Sequence, residues 1–154
     1  MSKSEFIYTI YIKTTPEKLW DALTNVEFMK QYWFGTHCES DWRAGSSWRL
    51  VFADGQTADA GEIVESVAPK RLAIRWRNEW NPELKEEGYS LCVFDIEPTD
   101  SAVKLTVTHS LDKEGSKLIE AVSGGWPQVL SNIKSLLETG QVVLAQHVDC
   151  REKA

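Results

Sequence analysis

From about residue 36 to residue 111, apolar side chains recur at every second position, interrupted only by short turn sequences. A period of two sends alternate side chains to opposite faces of a pleated strand, so this stretch is committed to sheet. Six segments carry it: THCESDW, SSWRLVFA, TADAGEIVESV, RLAIRWRNEW, GYSLCVFDIEP and AVKLTVTHSL. Between them stand Gly45-Ser46, Asp54-Gly55, Ala68-Pro69, Asn81-Pro82 and Pro98-Thr99-Asp100, residues that favour turns. Connections this short join antiparallel neighbours, which predicts a meander. One face of such a sheet must be covered by another element.

The flanking segments supply the cover. EFIYTIYIK also alternates, with Phe6, Tyr8, Ile10 and Ile12 on one face, and predicts a further strand. TTPEKLWDALTN starts a helix, with Thr15 as N-cap, Pro16 at the first helical position and Leu19, Trp20 and Leu23 as its apolar stripe. VEFMKQYW follows as a second short helix. After the meander, a helix is expected from about Lys113 to Thr139, with Gly140 just past its end. It is the only element long enough to cover the sheet.

That helix contains SGGWPQVL, residues 123–130, with two glycines and a proline. Yet Leu118, Ile119, Val122, Trp126, Val129, Leu130, Ile133, Leu136 and Leu137 keep helical phase across it. This predicts one helix with a local kink, because Pro127 has no N–H for the Ser123 carbonyl. Gly124 and Gly125 are expected to permit bending and a close approach to the sheet. Trp126 then points inward, either into a pocket or as a plug in the core.

Parity within the strands separates charge from apolar surface. Leu72, Ile74 and Trp76 oppose Arg71, Arg75 and Arg77; Ser90, Cys92, Phe94 and Ile96 oppose Leu91, Val93, Asp95 and Glu97; Val103, Leu105, Val107 and His109 oppose Lys104, Thr106 and Thr108. The charges fall on the outward face, where Arg75 and Arg77 are expected to pair with Asp95 and Glu97. The inward face is apolar and aromatic, with Ser90, Cys92, His109 and His37 as its sparse polar groups. Such a surface suits a small-molecule site, or a core filled by its own side chains. His109 reads either as a pocket donor, acceptor or general base, or as a core histidine bonded to backbone.

Composition narrows the function classes. The chain has 154 residues, enough for one domain over residues 1–154, with a core at about 6–139 and a tail at 140–154. A net charge of -6 disfavours nucleic-acid binding. No apolar run is long enough to span a membrane, and MSKSEFIYTIYIK does not read as a signal peptide, so a cytoplasmic location is expected. Three widely spaced cysteines, Cys38, Cys92 and Cys150, suggest neither a disulfide framework nor a metal site. Seven tryptophans are many for this length and belong either to a rich core or to a ligand surface. No nucleophile-elbow, zinc-protease or phosphate-loop motif occurs, and no cofactor or metal is expected.

Taken in order, TTPEKLWDALTNVEFMKQYW, GSSWRLVFADG, GEIVESVAPKRLAIRWR, VKLTVTHS and GGWPQVLSNIKSLLE resemble segments of the START-like (SRPBCC) superfamily. The branch resembled is that of homologues of the C-terminal domain of the activator of the heat-shock-protein-90 ATPase, over about residues 6–139. The resemblance implies an α+β helix-grip fold: a curved seven-stranded antiparallel sheet around the long helix, with two short helices after the first strand. It also implies a hydrophobic cavity between sheet and helix. The function expected is binding of a lipid, polyketide or flavonoid-like molecule rather than catalysis. The alternatives are a polyketide cyclase or hydrolase, or a co-chaperone-like module with a chaperone partner and a role in stress response. The two-domain co-chaperone itself is longer, which puts ATPase activation in doubt. Candidate lining residues are Trp20, Trp33, His37, Trp48, Phe52, Ile63, Trp76, Cys92, Phe94, His109, Trp126 and Leu130, with His109 catalytic if the protein is an enzyme. The tail QVVLAQHVDCREKA is apolar through Val142, Val143, Leu144 and Val148, and is expected to dock on the sheet or meet another subunit.

Overall fold

The computed structural model describes residues 3–146. Its elements run β1 (Ser4–Ile12), α1 (Pro16–Thr24), α2 (Val26–Tyr32), β2 (His37–Ser40), β3 (Ser47–Val51), β4 (Thr57–Val67), β5 (Arg71–Asn78), α3 (Pro82–Lys85), β6 (Ser90–Pro98), β7 (Val103–Leu111) and α4 (Lys117–Thr139). The strands form one antiparallel sheet in the order β1-β7-β6-β5-β4-β3-β2. The meander is present, and β1 extends it by pairing with β7 from Ser4↔Leu111 to Ile12↔Val103. A curved, unclosed sheet around a long C-terminal helix is the helix-grip architecture.

Local chemistry sets the helix ends. The Thr15 side chain accepts from the Lys18 amide and Pro16 opens α1; Asn25 caps α2 in the same way. α4 begins at Lys117, later than Lys113, because Ser116 is its cap, accepting from the Ile119 amide. Gly140, at φ 88°, ends it in the left-handed conformation. Asn81-Pro82 is more than a turn: Asn81 caps the short helix α3, with Pro82 at its first position.

α4 continues unbroken through Pro127. Gly124 and Gly125 do not serve a close approach to the sheet, since a Cβ at either would meet nothing within 4 Å. Close approach occurs instead at Gly61 in β4. There a Cβ would lie 1.7 Å from the Arg75 carbonyl oxygen of β5.

The inward parity of the strands forms the core: Ile12, Val103, Leu105 and Val107 are fully buried, as is Leu130 from α4, and Ile133 is nearly so. Each such side chain contributes roughly 1.5–3 kcal/mol relative to exposure. The outward ion pairs differ from expectation. Register sets Arg71, not Arg75, opposite Asp95, and Arg71 also pairs with Glu65. Arg75 lies 3.8 Å from Glu62, Arg77 pairs with Glu79, and Glu97 faces Lys104. The described part of the tail docks on α4 rather than on the sheet. Asn132, fully buried, accepts from the Val143 and Leu144 amides and donates to the Leu144 and Tyr32 carbonyls. Val148 and Cys150 lie outside the described residues.

Gly61→Ala is expected to lower stability by about 3 kcal/mol or more, because its Cβ meets backbone that cannot step aside. Gly124→Ala, in open helix, is expected to gain about 1 kcal/mol. Chemical denaturation of both variants checks the pair; equal stability would contradict the β4–β5 contact.

Candidate functional site

α4 packs on β1, β7, α1 and α2. Its other flank faces β3, β4 and β5 across a cleft of about 450 Å³. Small-molecule sites commonly enclose roughly 300–1,000 Å³. Six rings line the cleft: Trp33 and Phe34 beyond α2, Phe52 beyond β3, Trp76 of β5, Trp80 beyond β5, and Trp126 of α4. Leu50, Ala58, Leu84, Leu118, Val122 and Val129 add aliphatic surface, and Thr36, Asp59 and Asn78 are the polar side chains. Phe34 sits at φ 55°, a conformation that is uncommon for a residue with a bulky side chain. With Gly35 at φ 85° it reverses the chain between α2 and β2, which sets Trp33 and Phe34 at the cleft.

Deeper in, the same wall closes. Trp33, Trp76 and Trp126 also bound an inner space with Trp48 and Phe94 that measures about 10 Å³. That is room for one water at most. Trp48 and Trp76 pack with centroids 4.5 Å apart, and Trp126 meets Phe94 edge-on at 5.7 Å.

The expected site residues therefore divide. Trp33, Phe52, Trp76 and Trp126 are brought together at the cleft, while Trp48 and Phe94 belong to the closed interior. Ile63, Cys92, His109 and Leu130 are fully buried and line neither space. Trp20 packs against the edge of the core, away from both. His37 is a correction. Cys38 takes the inward position of β2, so His37 falls to the opposite face and pairs with Glu39 at 2.9 Å.

His109 is the centre of a buried chain of hydrogen bonds. The Trp126 indole N–H donates to His109 Nδ1 at 3.1 Å. His109 Nε2 lies 2.8 Å from Ser90 Oγ, whose hydroxyl donates to the Trp76 carbonyl at 2.8 Å. Since Nδ1 accepts, the proton sits on Nε2 and is given to Ser90. Both nitrogens are occupied and burial pushes the imidazole pKa down to about 3. This is a neutral core histidine, held by side chains rather than by backbone, and it offers no proton to the cleft.

Asp59 and Asn78 escaped the sequence reading, as did Phe34, Thr36 and Trp80. Asp59↔Asn78 and Gly61↔Trp76 are facing pairs on the inward side of β4 and β5. Asp59 shares parity with Ile63, and Asn78 with Trp76, so both had a signal. Asp59 Oδ2 accepts the indole N–H of Trp76. Asn78 Oδ1 accepts the amides of Trp80 and Asn81 at 3.1 and 2.8 Å, which holds the Trp80 turn against the cleft. Burial raises the Asp59 carboxyl to a pKa of about 7; the Trp76 bond opposes this and the Glu79 charge adds to it. Among the described residues no His, Cys, Asp and Glu cluster is suited to a metal.

The family model described as activator of Hsp90 ATPase homolog 1-like protein matches residues 13–138. No curated protein matches the sequence. Among solved structures, protein MLL2253 from Mesorhizobium loti is 20% identical, with a TM-score of 0.76 over 90% of this chain and 100% of its own. DynU16, from the dynemicin biosynthetic locus, is 19% identical, with a TM-score of 0.72 over 93% of this chain and 49% of its own. PFC0360w, an HSP90 activator from Plasmodium falciparum, is 25% identical, with a TM-score of 0.70 over 87% of this chain and 96% of its own.

The two buried groups titrate with opposite signs. His109, at about 3 in the fold against 6.5 ordinarily, loses stability as pH falls from 6.5 towards 3, because only the unfolded chain takes the proton. Asp59, at about 7 against 3.8, holds a proton that the unfolded chain has lost, so its contribution is complete below pH 3.8 and is lost as pH rises through 7. Asp59→Asn cannot titrate, while His109 titrates in both proteins. The stability of the variant relative to wild type is therefore expected to climb across that window by up to about 4 kcal/mol and then level off. Denaturation midpoints at a series of pH values test this; a difference independent of pH would contradict it.

Proposed function

Since the chain belongs to the family of activator of Hsp90 ATPase homolog 1-like proteins, we propose that it binds a hydrophobic, aromatic small molecule in the cleft between sheet and α4. The observation that carries this reading is the cleft itself: about 450 Å³ walled by six aromatic rings, with three polar side chains placed among them. The molecules favoured are planar and apolar over most of their surface, of the polyketide or flavonoid kind. The locus in which DynU16 lies agrees with that class.

A cyclase or hydrolase has less support. Acid–base chemistry needs titratable groups converging on one substrate, and among the described residues Asp59 is the only such side chain lining the cleft. A chaperone partner is the second reading. It draws on the family and on the likeness to PFC0360w, and Ile7, Tyr11 and Leu91 expose apolar surface on the outward face of the sheet.

Gly125 offers a clean test. It lines the cleft, and a Cβ there meets nothing within 4 Å. Gly125→Leu is expected to fill the cleft while raising helix propensity by about 0.8 kcal/mol, so binding falls without loss of stability. Tryptophan fluorescence is the readout, since Trp33, Trp76, Trp80 and Trp126 line the site. Saturable changes with a flavonoid and fatty-acid panel are expected in the wild type and not in Gly125→Leu. Absence of any saturable change in the wild type would sink the reading.

A further inference from the structure

We propose that the cleft selects an aromatic molecule carrying a protonated nitrogen, and that Asp59 receives that nitrogen. The inference rests on the small-molecule reading of the cleft and specifies the chemistry it recognises.

Asp59 stands in the sheet wall of the cleft, opposite Asn78. Its Oδ2 accepts the Trp76 indole N–H, while Oδ1 accepts nothing from any described residue. A carboxylate in apolar surroundings is tolerable only when its charge is matched. The described residues do not supply the match. Among the described residues no lysine, arginine or histidine lines the cleft, and those facing Asp59 from α4 and from the segment after α2 carry no charge. On the β5 side stands Glu79, whose charge repels Asp59. Arg77 and Lys85 are both engaged by Glu79, at 2.6 and 3.2 Å. On the β2 side the neighbour is the buried Cys38 thiol, which stays neutral because burial raises its pKa far above the ordinary value.

With no countercharge among the described residues, a proton or a guest takes that role. With the carboxyl poised near neutrality, a cationic guest can take the place of the proton at little cost. The rings favour the same guest. Trp33, Trp76 and Trp126 line the cleft with centroids 5.7–6.2 Å apart, Trp33 tilted against both and Trp76 edge-on to Trp126. Aromatic rings attract cations and stack on aromatic bodies. An anionic guest would meet the charges of Asp59 and Glu79, and an uncharged one would leave Asp59 dependent on its proton.

Naphthylethylamine, naphthylethanol and naphthylpropionate share a ring system and differ in charge. Calorimetric titration of the full chain is expected to give the amine about tenfold tighter binding than the alcohol at about pH 8, with the propionate weakest. At about pH 5.5 the advantage of the amine is expected to fall from about tenfold to near parity, as Asp59 regains its proton. Asp59→Asn keeps an oxygen for the Trp76 indole and cannot carry charge, so amine and alcohol should bind it alike at both pH values. Equal binding of amine and alcohol to the wild type at both pH values would overturn the proposal and leave the cleft reading intact. So would a preference for the amine retained in the variant. If none of the three binds the wild type, the cleft reading itself fails and the proposal falls with it. The wild-type comparison across pH decides the matter even if the variant does not fold.

Discussion

The hydrogen bond from the Trp126 indole to His109 fixes the position of α4 inside the grip of the sheet. Most of the sheet–helix contact is apolar, and apolar contact alone is weakly directional. A buried donor aimed at a buried acceptor is not: sliding the helix would leave the indole N–H and the imidazole nitrogen unpaired, at about 1–3 kcal/mol each. The chain continues through Ser90 to the Trp76 carbonyl, so α4, β7, β6 and β5 are registered together. Trp76 and Trp126 are also two of the six rings of the cleft. The network that looks like a place for proton transfer is in fact the clamp that aligns the cleft walls.

Asp59 is the opposite kind of buried polar group. His109 satisfies every one of its hydrogen-bonding atoms, whereas Asp59 has one oxygen bonded and the other accepting from no described residue. Sequences that only need a well-packed wall have no use for a carboxyl that must stay protonated or bear an uncompensated charge. Asn at this position would satisfy the Trp76 indole without that cost. A residue that burdens the fold while facing an open cleft is most simply explained by what it offers a guest.

The architecture was legible because it depends on period. Alternation placed Ile12, Leu72, Ile74 and Val107 inward, and Thr15, Pro16 and Gly140 marked helix ends by local chemistry that acts within four residues. The helical phase running from Leu118 to Leu137 likewise carried α4 through Pro127. The cleft was legible only in part, because parity says which face a side chain takes and not what stands opposite it. Trp48, Phe94 and Trp126 share the inward face, yet only Trp126 reaches the open cleft. Phe34 and Trp80 come from loops, where no period operates. His37 failed for a simpler reason: β2 is only four residues long, and one step of register turns a side chain from one face to the other. Asp59 was passed over because charge was assumed to mean the outward face.

One surface thus serves two purposes, and the line between them is drawn by α4. Where the helix touches β1 and β7, the sheet is sealed by Ile12, Val103 and Leu105, all without exposure. Where the helix faces β3 to β5, it sets Ala121, Val122 and Gly125, too small to bridge the gap, among Leu118, Trp126 and Val129. Replacing such residues by leucines would be the ordinary way to complete a core at native density. The glycines lower helix propensity and are matched by no neighbour that requires their lack of a Cβ. The proline removes a backbone bond a short step later, beside the indole that reaches His109. Read together, Gly124, Gly125 and Pro127 weaken α4 along the one stretch that borders the cleft. The apparent helix breaker is better understood as omitted bulk: the helix survives it, and the space it leaves is the cleft.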